Sequence, residues 1–221
     1  MIPLRDDIPS STFPIVNYLL IAANLLVFAY ELSLGRFLDP YIYSHAVIPD
    51  QFISAGLTAE QVARLTATMF FHGGWLHVLS NMLYLWIFGD NVEDRMGHFK
   101  YLVFYLIAGY LASFAHIFSF PQSDVPLIGA SGAIAGVLGA YLILFPRAKV
   151  LSLIFFIIII QVVPIPAVVF LGFWFLLQLL SGTASMSDQA AQSVAFWAHV
   201  GGFVSGMLLV KLFATRKTTY K

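Results

Sequence analysis

Long apolar runs separated by short polar segments dominate the chain. A helix needs about 20 mostly apolar residues to cross the hydrocarbon core of a bilayer. Six stretches, two of them short, predict spans near Pro14–Leu34, Trp75–Gly89, Tyr101–Phe120, Ile128–Phe145, Pro166–Leu180 and Val194–Ala214. The pattern therefore predicts an all-α membrane protein built as a bundle of six transmembrane helices.

The apolar stretch Leu151–Leu180 is too long for one straight span and too short for two spans with a turn. Proline fits the first turn of a helix better than its interior, so we start the fifth span near Pro164–Pro166. The preceding residues 151–163 are then expected to form an interfacial or buried segment.

Loop charges give an independent test of this count, because Lys and Arg concentrate on the cytoplasmic side of short loops. With the N-terminus inside, nine of the 11 Lys and Arg residues lie on the inner side, and only Arg36 and Arg64 lie outside. Treating residues 151–163 as a seventh span would give five inside and six outside. We therefore predict that both termini are cytoplasmic, with residues 1–13 as an N-terminal segment, 14–214 as one membrane domain and 215–221 as a basic tail.

The sequence also supports expectations about residues 1–13 and about the loop between the first two spans. Three charges and two prolines precede the first apolar run, so residues 1–13 are not expected to belong to a signal peptide. The outer loop Gly35–Gly74 is about forty residues long and contains apolar and aromatic residues. It either folds against or into the outer leaflet or serves as a simple tether.

Composition supports a lipid-facing surface. The chain is 60% hydrophobic and only 10% charged, with a mean hydropathy of +0.86, whereas soluble domains carry about 25% charged residues. Eleven basic and 11 acidic residues balance, which removes the electrostatic support for a nucleic-acid partner. Cysteine is absent, so disulfides, thiolate metal sites and a cysteine nucleophile are excluded.

Three polar side chains, His77, Ser131 and His199, lie near the beginning of predicted spans two, four and six. Taken singly, each is more simply a packing or helix-bonding residue. These spans run in the same direction in the predicted topology, so the three side chains share a depth roughly 5–10 Å below the outer surface. Small residues that begin at Gly132 and Gly202 allow spans four and six to approach closely, so we expect Ser131 and His199 to reach hydrogen-bond distance.

A serine next to a histidine points to nucleophilic catalysis, because imidazole can remove the hydroxyl proton near neutral pH. No Asp or Glu lies in the outer halves of spans two, four or six, so we predict a catalytic dyad of Ser131 and His199. Acyl transfer also needs donors for the developing oxyanion. His77, Asn81 and the Ser131 backbone N–H suit that task, although Asn81 also suits helix-helix bonding.

At these residues the sequence resembles the rhomboid intramembrane serine proteases, from about Arg64 to Gly206. The motifs that carry the resemblance are His77-x-x-x-Asn81, Glu93-x-Arg95-x-Gly97, Gly129-x-Ser131-Gly132 and Ala198-His199-x-x-Gly202-x-x-x-Gly206. The resemblance implies a rhomboid-like bundle in which Ser131 is the nucleophile, His199 the general base and then acid, and His77 and Asn81 oxyanion donors. It also implies a partly embedded first loop and a fifth span that acts as a lateral gate.

Two further features bear on the site. Glu93 and Arg95 form an inner-end charge pair that we interpret as structural. Ala135 occupies the position at which some rhomboid proteases carry a tyrosine that packs on the histidine. Support for His199 is therefore expected from another aromatic residue or from backbone packing.

The favoured hypothesis is an endopeptidase that cleaves transmembrane segments of membrane proteins near their outer ends, with membrane lipid as its surroundings and no cofactor or metal. A non-cleaving rhomboid-like protein that binds transmembrane segments is the first alternative. The second is a small transporter or metal-handling protein that uses four histidines, namely His72, His77, His116 and His199. By resemblance, the expected location is a bacterial cytoplasmic membrane with the site open to the outer face; the sequence does not predict the oligomeric state.

Overall fold

Helices make up most of the structure. A computed structural model describes residues 1–156, 159–186 and 194–214 of the chain. The helices in these residues are α1 Ile15–Leu34, α2 Leu38–His45, α3 Pro49–Ala55, α4 Ala59–Thr68, α5 Trp75–Met96, α6 His98–Ser119, α7 Ser131–Leu144, α8 Ala167–Ser185 and α9 Phe196–Phe213. The strands are β1 Ile2–Arg5, β2 Lys149–Phe156 and β3 Ile159–Pro166.

Among the described residues, four helical stretches are long and apolar enough to cross a membrane: Ile15–His45, which runs from α1 through a 3₁₀ turn into α2, together with His98–Ser119, Ala167–Ser185 and Phe196–Phe213. The apolar helix α7 has only 14 residues, and α5 has 22 but carries polar and acidic side chains. Each of the six predicted spans falls on a helix. Their number in the membrane and the side on which the termini lie stay predictions.

Helix α7 occupies the centre of the bundle and packs against α5, α6 and α9. Ten of its 14 residues are buried, in an unbroken run from Gly132 to Tyr141. A helix enclosed on this many sides needs small residues, and glycine or alanine supplies six of those ten positions.

Helices α1 and α5 are joined by the carboxylate of Glu93. Its two oxygens accept hydrogen bonds from the backbone N–H groups of Val16 at 3.0 Å and Asn17 at 2.7 Å. First-turn N–H groups have no partner within their own helix, so a fully buried carboxylate satisfies them and stabilises the start of α1. The Arg95 guanidinium lies 5.5 Å from the centre of the Phe145 ring. Both residues of the predicted charge pair therefore make structural contacts, though with different partners.

A three-stranded antiparallel sheet in the order β1-β2-β3 lies at the end of the bundle where α5 and α7 finish. We call this the sheet end and the opposite end, where α5, α7 and α9 begin, the site end. The expectation of an all-α fold is wrong here, because residues 151–156 and 159–163 lie in the paired strands β2 and β3. Valine and isoleucine dominate this stretch, and their branched side chains favour strands. A short apolar run has no periodicity that separates a strand from a helix.

The prolines of β3 fit the sheet because β3 is an edge strand. The Ala167 N–H donates to the Ala148 carbonyl at 2.7 Å. Bonded pairs alternate along an antiparallel ladder, so the nitrogen atoms of Pro164 and Pro166 point away from β2. Neither proline therefore removes a ladder hydrogen bond, and Pro166 directly precedes α8 as its N-cap.

The N-terminal segment is fastened to the sheet end. The Tyr141 hydroxyl of α7 donates a hydrogen bond to the Asp6 carboxylate, and Asp7 accepts one from the Lys149 backbone N–H at 2.7 Å. Burial raises the pKa of Asp6 to about 6, and the hydrogen bond from Tyr141 only partly offsets that effect.

The segment of residues 35–74 is folded. It contains the 3₁₀ turn and the helices α2, α3 and α4. Thr68 lies at the end of α4, and its hydroxyl accepts a hydrogen bond from the Val47 N–H at 2.9 Å. The Thr68 backbone carbonyl accepts one from the Gly129 N–H at 2.9 Å. This segment therefore supports the loop that leads into α7, and its depth in the leaflet stays a prediction.

Candidate active site

Ser131 and His199 form a hydrogen-bonded pair at the site end. Ser131 is the first residue of α7, and His199 is the fourth residue of α9. The Ser131 Oγ lies 2.7 Å from the His199 Nε2, although 68 positions separate the two in sequence. The structure thus places the predicted nucleophile and the predicted base in direct contact.

Glycines on α7 and α9 produce this contact by bringing the two backbones together. A Cβ atom built on Gly202 would lie 2.1 Å from the Gly132 carbonyl oxygen, and one on Gly206 would lie 1.9 Å from the Gly136 carbonyl oxygen. No larger residue fits at either position without displacement of a helix. The close approach predicted from the small-residue pattern is therefore present, and it fixes the spacing of Ser131 and His199.

The other ring nitrogen of His199 has a partner that the sequence analysis missed. The Nδ1 atom lies 2.8 Å from the Gln178 Oε1, on α8. The Trp174 ring of the same helix has its centre 6.0 Å from that of the histidine ring. The support expected from another aromatic residue is therefore accompanied by a hydrogen bond. Gln178 is one of two glutamines in the apolar stretch from Leu151 to Leu180, and that isolated polarity was the available signal.

Ser131 is positioned at the start of α7 by a turn at Gly129. Gly129 has φ of +121°, which L-residues with a side chain rarely adopt. A Cβ on Gly129 would lie 2.7 Å from the His77 Nε2 and 3.5 Å from the Ser131 Oγ. The bare Cα therefore leaves a space that His77 and Ser131 both border. The N–H groups of the first turn of α7 also lack partners within that helix, so this helix end favours a developing negative charge.

His77 presents a donor to this space. The Gly73 N–H donates to the His77 Nδ1 at 3.3 Å, so a neutral ring carries its hydrogen on Nε2, the atom beside Gly129. His77 is the third residue of α5. The structure thus places His77 on the same side of the Ser131–His199 pair as the Ser131 backbone.

Asn81 lies one turn further along α5 and is held by a chain of hydrogen bonds. The His72 Nδ1 is 3.0 Å from the Phe70 carbonyl, so Nδ1 carries the hydrogen. The His72 Nε2 then accepts from the Asn81 Nδ2 at 3.0 Å. The His72 backbone N–H in turn donates to both oxygens of the buried Glu31, at 3.1 Å and 3.2 Å. Sequence analysis did not single out Glu31, an acidic residue inside the first predicted span.

The buried position of His72 keeps its ring neutral. Burial, together with the neighbouring His77, lowers the pKa of His72 to about 4. A neutral His72 retains the lone pair on Nε2 that orients the Asn81 amide. One hydrogen of the Asn81 Nδ2 is occupied by that bond, which leaves the second for a ligand.

One cavity of about 530 Å³ joins these groups. Ser131, His199, His77 and Asn81 all line it, as does Gln178. Its deeper wall is apolar and includes Ile134, Leu138 and Trp174. A cavity of this size holds several water molecules beside the polar groups or an extended peptide segment. Within the described residues, no group of three or more His, Asp or Glu side chains is placed to hold a metal ion.

Comparison with known proteins gives consistent results. A model of the Rhomboid domain matches residues 59–216. Rhomboid protein 1, mitochondrial, of Saccharomyces cerevisiae is 30% identical over 203 residues, which cover 86% of this chain and 51% of the yeast protein. Rhomboid protease GluP of Bacillus subtilis is 31% identical over 196 residues, or 87% of this chain and 34% of that protein. Rhomboid-like protein 11, chloroplastic, of Arabidopsis thaliana is 29% identical over 196 residues, or 87% and 66% of the two chains.

The chain thus spans about half the length of the yeast relative and about a third of the Bacillus one. The names of these relatives include mitochondrial and chloroplastic proteins as well as a bacterial one. They support an integral multi-pass membrane protein and do not support one membrane over another. The bacterial cytoplasmic membrane stays a prediction.

Proposed function

Because this chain belongs to the rhomboid family, we propose that it is an intramembrane serine endopeptidase whose nucleophile is Ser131 and whose general base is His199. The observation that carries the proposal is the 2.7 Å contact between the Ser131 Oγ and the His199 Nε2. A serine hydroxyl needs such a base to attack a peptide bond at neutral pH.

In the proposed acylation step, the His199 Nε2 takes the hydroxyl proton as the Ser131 Oγ attacks the carbonyl carbon of the scissile bond. The tetrahedral intermediate then collapses. The carbon–nitrogen bond breaks, and the proton on Nε2 passes to the leaving amine. The product is an ester between Ser131 and the N-terminal part of the substrate.

The oxyanion of this intermediate would receive hydrogen bonds from three donors: the Ser131 backbone N–H, the His77 Nε2–H and the free hydrogen of the Asn81 Nδ2. Such donors contribute most where they are held in place before the reaction. Gly73 holds the His77 ring, and His72 holds the Asn81 amide. Removing one oxyanion donor typically lowers kcat by about 10²–10³-fold.

Deacylation requires water at the same place. A water molecule in the cavity would give a proton to the His199 Nε2 and attack the ester carbon, after which the Ser131 Oγ recovers the proton. The cavity supports this step because its polar walls offer a water molecule several partners without exposing backbone to lipid.

The proposed substrates are transmembrane segments of other membrane proteins, cleaved near their outer ends. A peptide bond inside a helix is shielded by its own turns, so residues that unwind the helix locally should favour cleavage. The apolar wall of the cavity suits the side chains of such a segment.

A fluorophosphonate tests the nucleophile and the base without a known substrate. Attack by the Ser131 Oγ forms an oxygen–phosphorus bond and expels fluoride, while His199 takes the proton. We expect detergent-solubilised wild-type protein to be labelled, and the variants Ser131→Ala and His199→Ala to lose labelling by about 10³-fold or more.

Matched controls come from the same protein. Ser205→Ala removes a hydroxyl that donates to the Gly201 carbonyl of its own helix, and His45→Ala removes an exposed histidine that stacks on Tyr41. Both should label like the wild type. Labelling that persists in Ser131→Ala would refute the proposed nucleophile. Well-folded wild-type protein that is not labelled would favour a rhomboid-like protein that binds transmembrane segments without cutting them.

A further inference from the structure

Gln178 is the group that meets His199 on the side away from Ser131. Its Oε1 lies 2.8 Å from the His199 Nδ1. Gln178 is partly buried on α8. Between Leu171 and Gly182, Ser181 is the other polar side chain of this helix, and no side chain is charged. A polar side chain on this apolar helix faces the cavity at the one place where the histidine needs an acceptor.

The orientation of the Gln178 amide is set by its own helix. The Nε2 atom donates to the Trp174 carbonyl at 3.4 Å, one turn earlier on α8. With the NH₂ group engaged there, the amide oxygen is the atom presented to His199. An amide that turned the other way would offer a donor to a ring nitrogen.

The consequence for His199 follows from the chemistry of imidazole. A neutral ring carries one hydrogen, on either Nδ1 or Nε2. An acceptor oxygen at Nδ1 selects the form with hydrogen on Nδ1, which leaves the lone pair on Nε2 facing the Ser131 hydroxyl. When Nε2 takes the serine proton, the same oxygen also stabilises the positive ring.

We propose that Gln178 is a positioning residue that holds His199 in the tautomer able to accept the proton of Ser131. The inference rests on the proposed function. In many serine hydrolases a carboxylate orients the histidine. The inference assigns that role to a neutral amide on α8.

Several titratable groups surround His199 and must be considered in any pH measurement. His77 and Tyr84 of α5 and His116 of α6 line the same cavity. Helix α7 contributes Ser131 there, and α8 contributes Trp174 and Gln178, none of which titrates near neutrality. A change at position 178 therefore leaves the other titrating neighbours of His199 in place.

The test compares three variants by their rate of fluorophosphonate labelling between pH 5 and 9. Gln178→Leu removes the acceptor at similar volume, and we expect the rate to fall about fivefold to tenfold, as for the loss of one hydrogen bond. Gln178→Glu restores an acceptor, so it should label faster than Gln178→Leu. Its carboxylate favours the protonated ring, so the acid limb of its profile should move to higher pH. Gln161→Leu, which changes an exposed glutamine on β3, is the control and should match the wild type.

Nitrogen-15 NMR of histidine-labelled protein gives a readout that needs no activity. We expect the His199 Nδ1 to carry the hydrogen in the wild type and the Nε2 form to become populated in Gln178→Leu. A wild-type His199 with its hydrogen on Nε2 would overturn the inference, as would a Gln178→Leu variant that labels like the wild type at every pH. Wild-type protein with the expected tautomer but no labelling would instead contradict the proposed function alone.

Discussion

Gly202→Ala should separate Ser131 from His199 without touching either residue. The added Cβ would lie 2.1 Å from the Gly132 carbonyl oxygen, whereas carbon and oxygen atoms in contact lie about 3.3 Å apart, so the helices must part by about 1.2 Å. Gly132 follows Ser131 directly, and Gly202 lies three residues after His199. A shift of that size carries the 2.7 Å contact beyond hydrogen-bond distance.

We expect the rate of fluorophosphonate labelling to fall about 10²-fold, which is the typical effect of a 1 Å misplacement. Overpacking should also lower the free energy of unfolding by about 1–3 kcal/mol. Thermal unfolding followed by circular dichroism separates this loss from complete misfolding. Gly172→Ala is the matched control, because a Cβ at that position on α8 meets nothing within 4 Å. A Gly202→Ala protein with wild-type labelling and stability would refute the argument that backbone contact sets the geometry.

Three other changes test separate parts of the structure. Gly129→Ala should lower labelling strongly, because a Cβ there would lie 2.7 Å from the His77 Nε2 in a backbone with φ of +121°; wild-type labelling would contradict this. The chain has no cysteine, and a Cβ at Gly182 lies 3.4 Å from that of Phe196, close to the disulfide mean of about 3.8 Å. If α8 is the gate, the oxidised double variant Gly182→Cys, Phe196→Cys should keep fluorophosphonate labelling but lose cleavage of a transmembrane reporter. Reductant should restore cleavage, and unimpaired cleavage in the oxidised protein would exclude movement of α8. Asp6→Asn should flatten the pH dependence of the thermal midpoint. The raised pKa of about 6 means that Asp6 adds stability as pH falls from 7 to 4, so identical curves would contradict the assigned burial.

The helices and the contact of Ser131 with His199 were predictable because their signals are local. Each predicted span is an apolar run, and each run falls on a helix. The glycines that begin at Gly132 and Gly202 predicted the close contact of α7 and α9, since only small residues allow it. The convergence of Ser131 and His199 then followed from the shared direction of the spans.

The remaining features depend on information that the pattern lacks. The paired strands β2 and β3 escaped prediction because a continuous apolar run has neither a period of 3.6 nor of 2. Gln178 escaped because its direction depends on the rotation of α8, and an almost wholly apolar helix has no polar face that would reveal that rotation. Glu31 escaped for a different reason. Its partner is the His72 backbone N–H, and no residue pattern marks a backbone group as a partner.

A neutral amide beside His199 is consistent with where the site lies. A carboxylate at that position would have to be desolvated in an apolar surrounding, at a cost of several kcal/mol. Replacing the carboxylate with an amide lowers kcat by about 10⁴-fold in serine proteases because the wrong histidine tautomer results. The Trp174 carbonyl prevents that error here, because it engages the NH₂ group and leaves the Gln178 oxygen for His199. The same bond makes the alignment of the base depend on the position of α8. Any movement of α8 that draws Gln178 away from His199 should therefore slow the attack of Ser131.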